Sequence, residues 1–441
     1  MTGPVRDLTI ADWPNAHRVM SPNGHPIRVL YCESNVDGTI GGSHFCLLYL
    51  LENLDRTRFE PIVIFYQDHA LVPRFREAAE TLVLERPAPF TLGPLRRGFA
   101  KRQPILAFPL VLVQRGVNFL AWLRQLRSEI AFLRSRGIKL VNLNNSIIRH
   151  HDWMTAALLT RTPCVTHERG INSWYSPASK FLGRRLNGVI AVSKAIREGM
   201  RAAHVDVSNV HVLYDGLDPT KLKRQREPAA IRESLGLAEG RPVIGIVGNV
   251  RRWKGQEVAI HAMARLTKAV PDVALLIVGA TAPVDEPYEA EVRSLVAKYG
   301  LERNVIFCGY QKFPADYVAL MDVVVHASIL PEPFGMVVLE AMAMRKPVVG
   351  ARDGGVPEMV VEGVTGYTYP PGDAEALARR VEELLRDPVR ARTMGDAGYD
   401  RVVADFSVER YADQVEALYD DILAGRTPSL RQPTVAVSQP S

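Results

Sequence analysis

Arg241-Pro242-Val243-Ile244-Gly245-Ile246-Val247-Gly248-Asn249-Val250-Arg251-Arg252-Trp253-Lys254-Gly255 is the stretch that decides the fold. Its first half is an unbroken aliphatic run, which suits a strand covered on both faces rather than one with a wetted side. Its second half is a basic loop, and the residues after it, about 256–270, have helical spacing. Strand, glycine-bearing loop and helix together open a parallel α/β sheet, where loops at the carboxyl ends of strands meet ligands. Gly248 permits close backbone approach, and Arg251, Arg252 and Lys254 can neutralise a diphosphate. A solvated basic turn would have the same composition. The place of the loop after a first strand favours the phosphate reading.

The chain starts the same way a second time. Ile27-Arg28-Val29-Leu30-Tyr31-Cys32 reads as another first strand, followed by a loop with Gly38, Gly41 and Gly42 and a helical run over 43–54. Further strands are expected over 61–65, 81–84, 140–143, 164–166 and 189–192, and in the second half over 274–278, 305–308, 323–326 and 347–350. Helical segments separate them. The expected architecture is α/β, with two doubly wound Rossmann-like domains. The division anticipated is an N-terminal extension (1–26), a first Rossmann-like domain (27–217), a charged linker (218–240), a second Rossmann-like domain (241–407), a C-terminal helix (408–425) and a disordered tail (426–441).

Composition narrows the class. A chain of 441 residues needs two or three cores, and 47% hydrophobic with 23% charged residues is ordinary for a soluble globular protein. The net charge of +6 suits an anionic substrate or an acidic lipid surface and is too sparse for nucleic acid. Cys32, Cys46, Cys164 and Cys308 are scattered, without metal-ligand spacing, which points to a reducing, cytoplasmic setting. Residues 1–25 lack the apolar core of a secretory signal. The adjacent His150 and His151 do not by themselves make a metal site. Nor is an Asp-x-Asp motif convincingly placed, so neither a metal nor a cofactor is expected.

The segment 104–123 stands apart. It is strongly apolar but broken by Pro109, Gln114, Arg115 and Asn118, with Arg96, Arg97, Lys101 and Arg102 before it and Arg124 and Arg127 after it. These interruptions speak against a membrane-spanning helix. Two readings stay open: a helix packed into the domain, or a basic amphipathic element on a membrane surface across 96–127.

Chemistry concentrates in Glu332-Pro-Phe-Gly-Met-Val-Val-Leu-Glu340, with Gly354-Gly355-Val356-Pro357-Glu358 beyond it. Pro333 and Gly335 suit a loop, and the residues from Met336 onward form helix well, so Glu332 stands at a helix start and Glu340 about two turns inside. A helix N-terminus attracts anions. Either acid alone could be an ordinary solvated residue. His167 ends an expected strand on the ligand side.

Together these residues resemble the retaining GT-B glycosyltransferases, most closely the large family-4 group (glycosyl transferases group 1) that uses nucleotide-activated sugars. The likeness rests on Gly41-Gly42, His167, Val192-Ser193, Gly248 to Gly255, Gly279, Gly309, Ser328, Glu332 to Glu340, Pro347-Val348-Val349 and Thr365-Gly366-Tyr367. It implies two domains facing across a cleft, and it implies residue roles. Glu340 would hold the ribose hydroxyls, and Glu332 would lie beside the donor sugar. Phe334, Gly335, Met336 and Val337 would offer backbone contacts to sugar and phosphate. Lys254, with Arg251 or Arg252, would hold the diphosphate and stabilise the leaving nucleotide. Tyr310 would belong to the base-binding loop, Gly41 and Gly42 would let the first-domain backbone approach the phosphate or the acceptor, and His167 would reach the transferred sugar. The chain departs from the family pattern at Asn249, where relatives carry arginine, and at Ser43-His44, where many carry an acid.

The implied activity is retaining transfer of a sugar from a UDP- or GDP-linked donor to a glycan or lipid-linked acceptor, in cell-surface polysaccharide or glycolipid synthesis. It would take place in the cytoplasm, at the inner face of a membrane if the basic segment docks there. Rival readings are a sugar-nucleotide epimerase or phosphorylase-like enzyme of the same fold, and a non-catalytic nucleotide-sugar scaffold.

Overall fold

The computed structural model describes residues 26–34, 40–86, 88–92 and 104–428. The extension over 1–25, Gly38, Arg96, Arg97, Lys101, Arg102 and the tail from 429 lie outside the described residues. Two parallel sheets organise the rest. The first contains β1 (Ile27–Cys32), β2 (Phe59–Phe65), β3 (Glu80–Val83), β4 (Leu140–Leu143), β5 (Cys164–Glu168), β6 (Gly188–Ala191) and β7 (Val210–Val212), in the order β3-β2-β1-β4-β5-β6-β7. The second contains β8 (Val243–Val247), β9 (Ala274–Val278), β10 (Val305–Gly309), β11 (Val323–His326), β12 (Val348–Ala351) and β13 (Gly366–Tyr369), in the order β10-β9-β8-β11-β12-β13. Each is a doubly wound Rossmann-like sheet, as the strand–helix alternation predicts.

The aliphatic runs have a simple cause. β1 lies between β2 and β4, with Tyr31 opposite both Val63 and Asn142, and helices cover both faces. Successive side chains therefore all enter a core, and Val29, Leu30 and Tyr31 are fully buried. β8 holds the same place between β9 and β11. The helix Gln256–Ala269 shows the complementary pattern: Val258, Ile260, Met263 and Leu266 are buried, while Glu257, His261 and Arg265 are not. In both sheets the chain reverses winding next to the first strand, between β1 and β4 and between β8 and β11. That is where open α/β sheets leave a crevice at their carboxyl ends.

Among the described residues two compact units result, one of residues up to 190 with 200–211 and 415–428, the other of 191–199 with 212–414. The C-terminal helix Val408–Leu423 is thus divided, and its second half belongs with the first sheet. There Glu416 accepts from the Asp55 amide at 2.7 Å and from Arg58 at 2.9 Å. The Tyr419 ring meets Phe59 edge-on at 5.7 Å, and its hydroxyl donates to Tyr31 at 3.1 Å and accepts from Asn142.

The apolar segment 104–123 lies within a 32-residue helix, Pro104–Ser135. Its later part is packed, with Leu126, Phe132 and Leu133 buried and Phe132 edge-on to Trp153 at 5.9 Å. Residues 109–121 are largely exposed. No helix among the described residues is long and apolar enough to cross a membrane.

Tyr419→Ala is expected to destabilise the first unit by about 3–5 kcal/mol, because it empties a fully buried ring site and strands the Asn142 amide. Urea denaturation followed by circular dichroism measures this.

Candidate functional site

Lys254 and Glu332 meet at the carboxyl ends of β8 and β11, where the second sheet changes winding. Lys254 closes a short 3-10 turn, Arg252–Lys254, after β8. The next residue, Gly255, has φ of 67°, and a Cβ there would stand 2.0 Å from the Ala327 carbonyl oxygen, so glycine is required on two counts. The turn is pinned to the loop after β11 by the Ile329 amide, which donates to the Trp253 carbonyl at 2.8 Å. Glu332 lies on that loop. Its Oε2 accepts from Lys254 Nζ at 2.6 Å and from Ser328 Oγ at 3.2 Å, and it lies 3.3 Å from His326 Nε2.

The glycine pair downstream fixes the Glu332 backbone. Gly354 has φ of 60°, and a Cβ there would lie 2.0 Å from the Glu332 carbonyl oxygen; the Gly355 amide donates to that oxygen at 2.8 Å. The two conspicuous parts of the motif are thus one packed unit. Phe334 is buried and stacks on Tyr214 at 6.0 Å. Gly335, at φ of 108°, caps the helix Met336–Ala343, whose first amides lie beyond the reach of the i→i−4 ladder. Met336, Val337 and Glu340 are half-buried on this helix.

The two glutamates have opposite electrostatics. Burial raises the Glu332 carboxyl, but the His326 hydrogen bond and the charges of Lys254 and His326 outweigh it and hold the group at about 2. Glu340 has no comparable partner among the described residues, and burial pushes it up to about 7.

The other expected residues are placed as follows. Gly248 has φ of 135°, and Gly279 packs so close that a Cβ would lie 2.0 Å from the Gly248 carbonyl oxygen. Asn249 is exposed, as is Tyr310, which follows Gly309 at the end of β10. Arg251 is ion-paired with Asp285 at 3.1 Å. Arg252 turns outward to Glu291 at 2.6 Å and over the Tyr288 ring at 4.8 Å, and does not join the Lys254–Glu332 pair. In the first unit, Gly41 and Gly42 are exposed at the start of the helix Gly42–Asn53. His44 accepts from the Gly41 amide at 3.3 Å, so it caps that helix. His167 is fully buried on β5, 3.0 Å from Asn142 Oδ1, and burial holds its pKa well below the usual histidine range. Among the described residues, no group of three or more His, Cys, Asp or Glu side chains is arranged to hold a metal ion.

Sequence reading passed over His326. It is the last residue of β11, and His167 is the last but one of β5, so the rule that drew attention to one histidine at a strand's carboxyl end applies to both. Glu358 serves elsewhere. It accepts from the Lys194 and Ala195 amides at 2.8 and 2.9 Å and from the Tyr214 hydroxyl at 2.8 Å, capping the helix Lys194–Ala202.

Residues 228–401 match the family model described as Glycosyl transferases group 1. Alpha-maltose-1-phosphate synthase of Mycolicibacterium smegmatis is 34% identical over 338 residues, covering 68% of this chain and 86% of that protein. The chain belongs to the glycosyl transferases group 1 family. It is also 30% identical to the lipopolysaccharide core biosynthesis mannosyltransferase LpsB of Rhizobium meliloti, covering 56% of this chain and 68% of that protein. A Bacillus anthracis relative is matched over only 54% of its length. The fold resembles that of Anabaena Alr3699/HepE, solved in complex with UDP, with a TM-score of 0.72 at 23% identity over 90% of this chain and all of that one. The protein is therefore a glycosyltransferase of the GT-B fold class.

Two outcomes follow for the loop. Gly354→Ala is expected to cost at least about 2 kcal/mol, because its Cβ would collide with the Glu332 backbone; thermal unfolding checks this. The Glu332 carboxyl ionises more readily in the folded chain than in the unfolded one. Its contribution to stability is therefore complete above about pH 4.5 and drains as pH falls toward about 2. Glu332→Gln should flatten the acid limb of the stability curve in that window.

Proposed function

We propose that this glycosyltransferase moves a hexose or related sugar from a UDP- or GDP-linked donor to a glycan or lipid-linked acceptor, with retention at the anomeric carbon. The observation that carries the reading is the Lys254–Glu332 pair at the winding change of the second sheet. An amine and a carboxylate taken mostly out of water at the ligand edge offer complementary partners to a diphosphate and a sugar hydroxyl.

When donor binds, its phosphates take the Lys254 ammonium, and His326 and Ser328 keep Glu332 supplied with hydrogen bonds. Glu332 then accepts from the sugar hydroxyls. Lys254 and the amides of Met336 and Val337 stabilise charge on the departing diphosphate. Glu340 binds the ribose hydroxyls, and Tyr310 flanks the base. Arg251 assists at the phosphates, while Arg252 lies at the rim, held by its acidic neighbours. On the acceptor side, Gly41 and Gly42 approach the substrate and His167 the transferred sugar. With no nucleophilic carboxylate assigned, the acceptor attacks from the face the nucleotide leaves, and the departing phosphate helps take its proton. The enzyme would act in the cytoplasm in cell-surface glycan or glycolipid synthesis, with segment 96–127 at the inner face of a membrane.

Lys254→Ala and Glu332→Ala are each expected to lower transfer at least about 10²-fold while the thermal melt shows a folded chain; full activity in either overturns the assignment. Calorimetric titration with UDP, GDP and ADP identifies the base. Because burial pushes Glu340 up to about 7 and both its oxygens accept from the ribose hydroxyls only when it is ionised, nucleotide affinity should rise between about pH 6 and about pH 8. That rise should be absent in Glu340→Gln.

A further inference from the structure

The stretch 112–120 of the helix Pro104–Ser135 is turned inside out. Its two amide side chains face the protein: Asn118 accepts from the Phe90 amide at 2.9 Å and donates to the Phe90 carbonyl at 3.0 Å, and Gln114 accepts from the Leu92 amide at 3.2 Å. Its apolar side chains face outward. Leu112, Val113, Val117, Phe119 and Leu120 are 53%, 55%, 41%, 57% and 60% exposed. Leu112, Val113, Gly116 and Leu120 follow one another at helical spacing along one stripe, which Leu123 extends. Phe119 stacks on Trp122 at 5.9 Å. An amphipathic helix that served only the protein's own core would place these faces the other way round. A contiguous outward apolar stripe of this kind marks a binding surface.

Charge identifies what covers it. Residues 104–128 contain Arg115, Arg124 and Arg127 and no aspartate or glutamate, so the stripe is flanked by positive charge alone. Arg115, Arg124 and Arg127 are all exposed. A second copy of the chain docked on this face would bring like charges together. An anionic lipid surface satisfies both features at once, taking the aliphatic and aromatic side chains into the acyl boundary while the guanidinium groups stay at the headgroups.

We infer that the outward face of residues 112–124 is a docking surface for an anionic bilayer, with the helix lying flat in the interface and the later half of the same helix rooted in the core of the first unit. This rests on, and deepens, the membrane-side reading of the enzyme given above, and it names the residues that make the contact.

The test uses the full chain with phosphatidylcholine vesicles made with and without phosphatidylglycerol, separated by flotation at low and high salt. Binding to the anionic vesicles is expected to exceed binding to the neutral ones at least about tenfold, and to weaken with salt. Val113→Glu with Leu120→Glu adds charge at positions already in water, so the thermal melt should be unchanged while vesicle binding falls at least about tenfold. Arg124→Glu with Arg127→Glu should have a similar effect. Absence of binding to anionic vesicles at low salt overturns the proposal. So does binding that the arginine changes abolish but the Val113/Leu120 changes leave intact, since that contact is electrostatic without insertion. A concentration-dependent dimer dissolved by the Val113/Leu120 changes, in a chain that ignores vesicles, assigns the face to a second copy instead. Calorimetric nucleotide binding, run in parallel, separates the two proposals. A chain that binds nucleotide but not vesicles loses only the docking surface, and one that binds vesicles but no nucleotide loses only the donor assignment.

Discussion

A carboxylate removed from water must be matched by donors or it will take up a proton, and the donor side of this enzyme is arranged around that requirement at Glu332. Three groups answer it, each delivered by a different piece of backbone. Lys254 comes from the turn after β8, His326 from the last residue of β11, and Ser328 from the loop between β11 and Glu332 itself. Their convergence depends on the winding change between β8 and β11, which brings the ends of two strands far apart in sequence side by side. A ligand that draws Lys254 away would leave Glu332 with two neutral or titratable partners and a vacant acceptor position.

Holding that carboxylate in place is a matter of missing atoms as much as of attractive ones. Gly255 lets the helix after β8 begin against the Ala327 carbonyl, Gly279 lets the end of β9 lie on the Gly248 peptide, and Gly354 lets a later loop lie on Glu332. In each case a methyl group would occupy the space of a backbone atom. The site is consequently rigid where it carries charge, because three separate segments touch it through peptide groups rather than through side chains that can rotate.

The fold was readable because a strand covered on both faces leaves a simple trace, an unbroken run such as Val243 to Val247 followed by a glycine-bearing loop. The Lys254 and Glu332 stretches were also conspicuous, since basic and acidic residues beside glycine and proline interrupt otherwise apolar patterning. What could not be read was direction. Arg251 and Arg252 adjoin in sequence, yet they answer to Asp285 and Glu291, acids supplied from beyond β9 that only the folded chain brings near. His44, noted in the sequence only as a departure from an acidic family pattern, closes the first turn of its own helix. Glu358 was legible as part of the motif but not as a helix cap, because the helix it caps begins more than a hundred residues earlier. The long apolar segment shows the same limit, since its composition did not reveal that Gln114 and Asn118, rather than the leucines, are the residues turned inward.

The divided C-terminal helix has a consequence for how this chain can be taken apart. Because residues 415–428 belong with the first sheet, that unit is assembled from sequence at both ends of the described chain. A ribosome that has finished the first sheet's strands has not yet supplied Glu416 and Tyr419, so the first unit cannot complete its core until the whole second sheet has been made. The intervening unit, by contrast, has its six strands in one uninterrupted stretch and can mature first. In the same way, a protease that trims the chain after Gln414 would injure the unit whose strands are most distant in sequence from the cut.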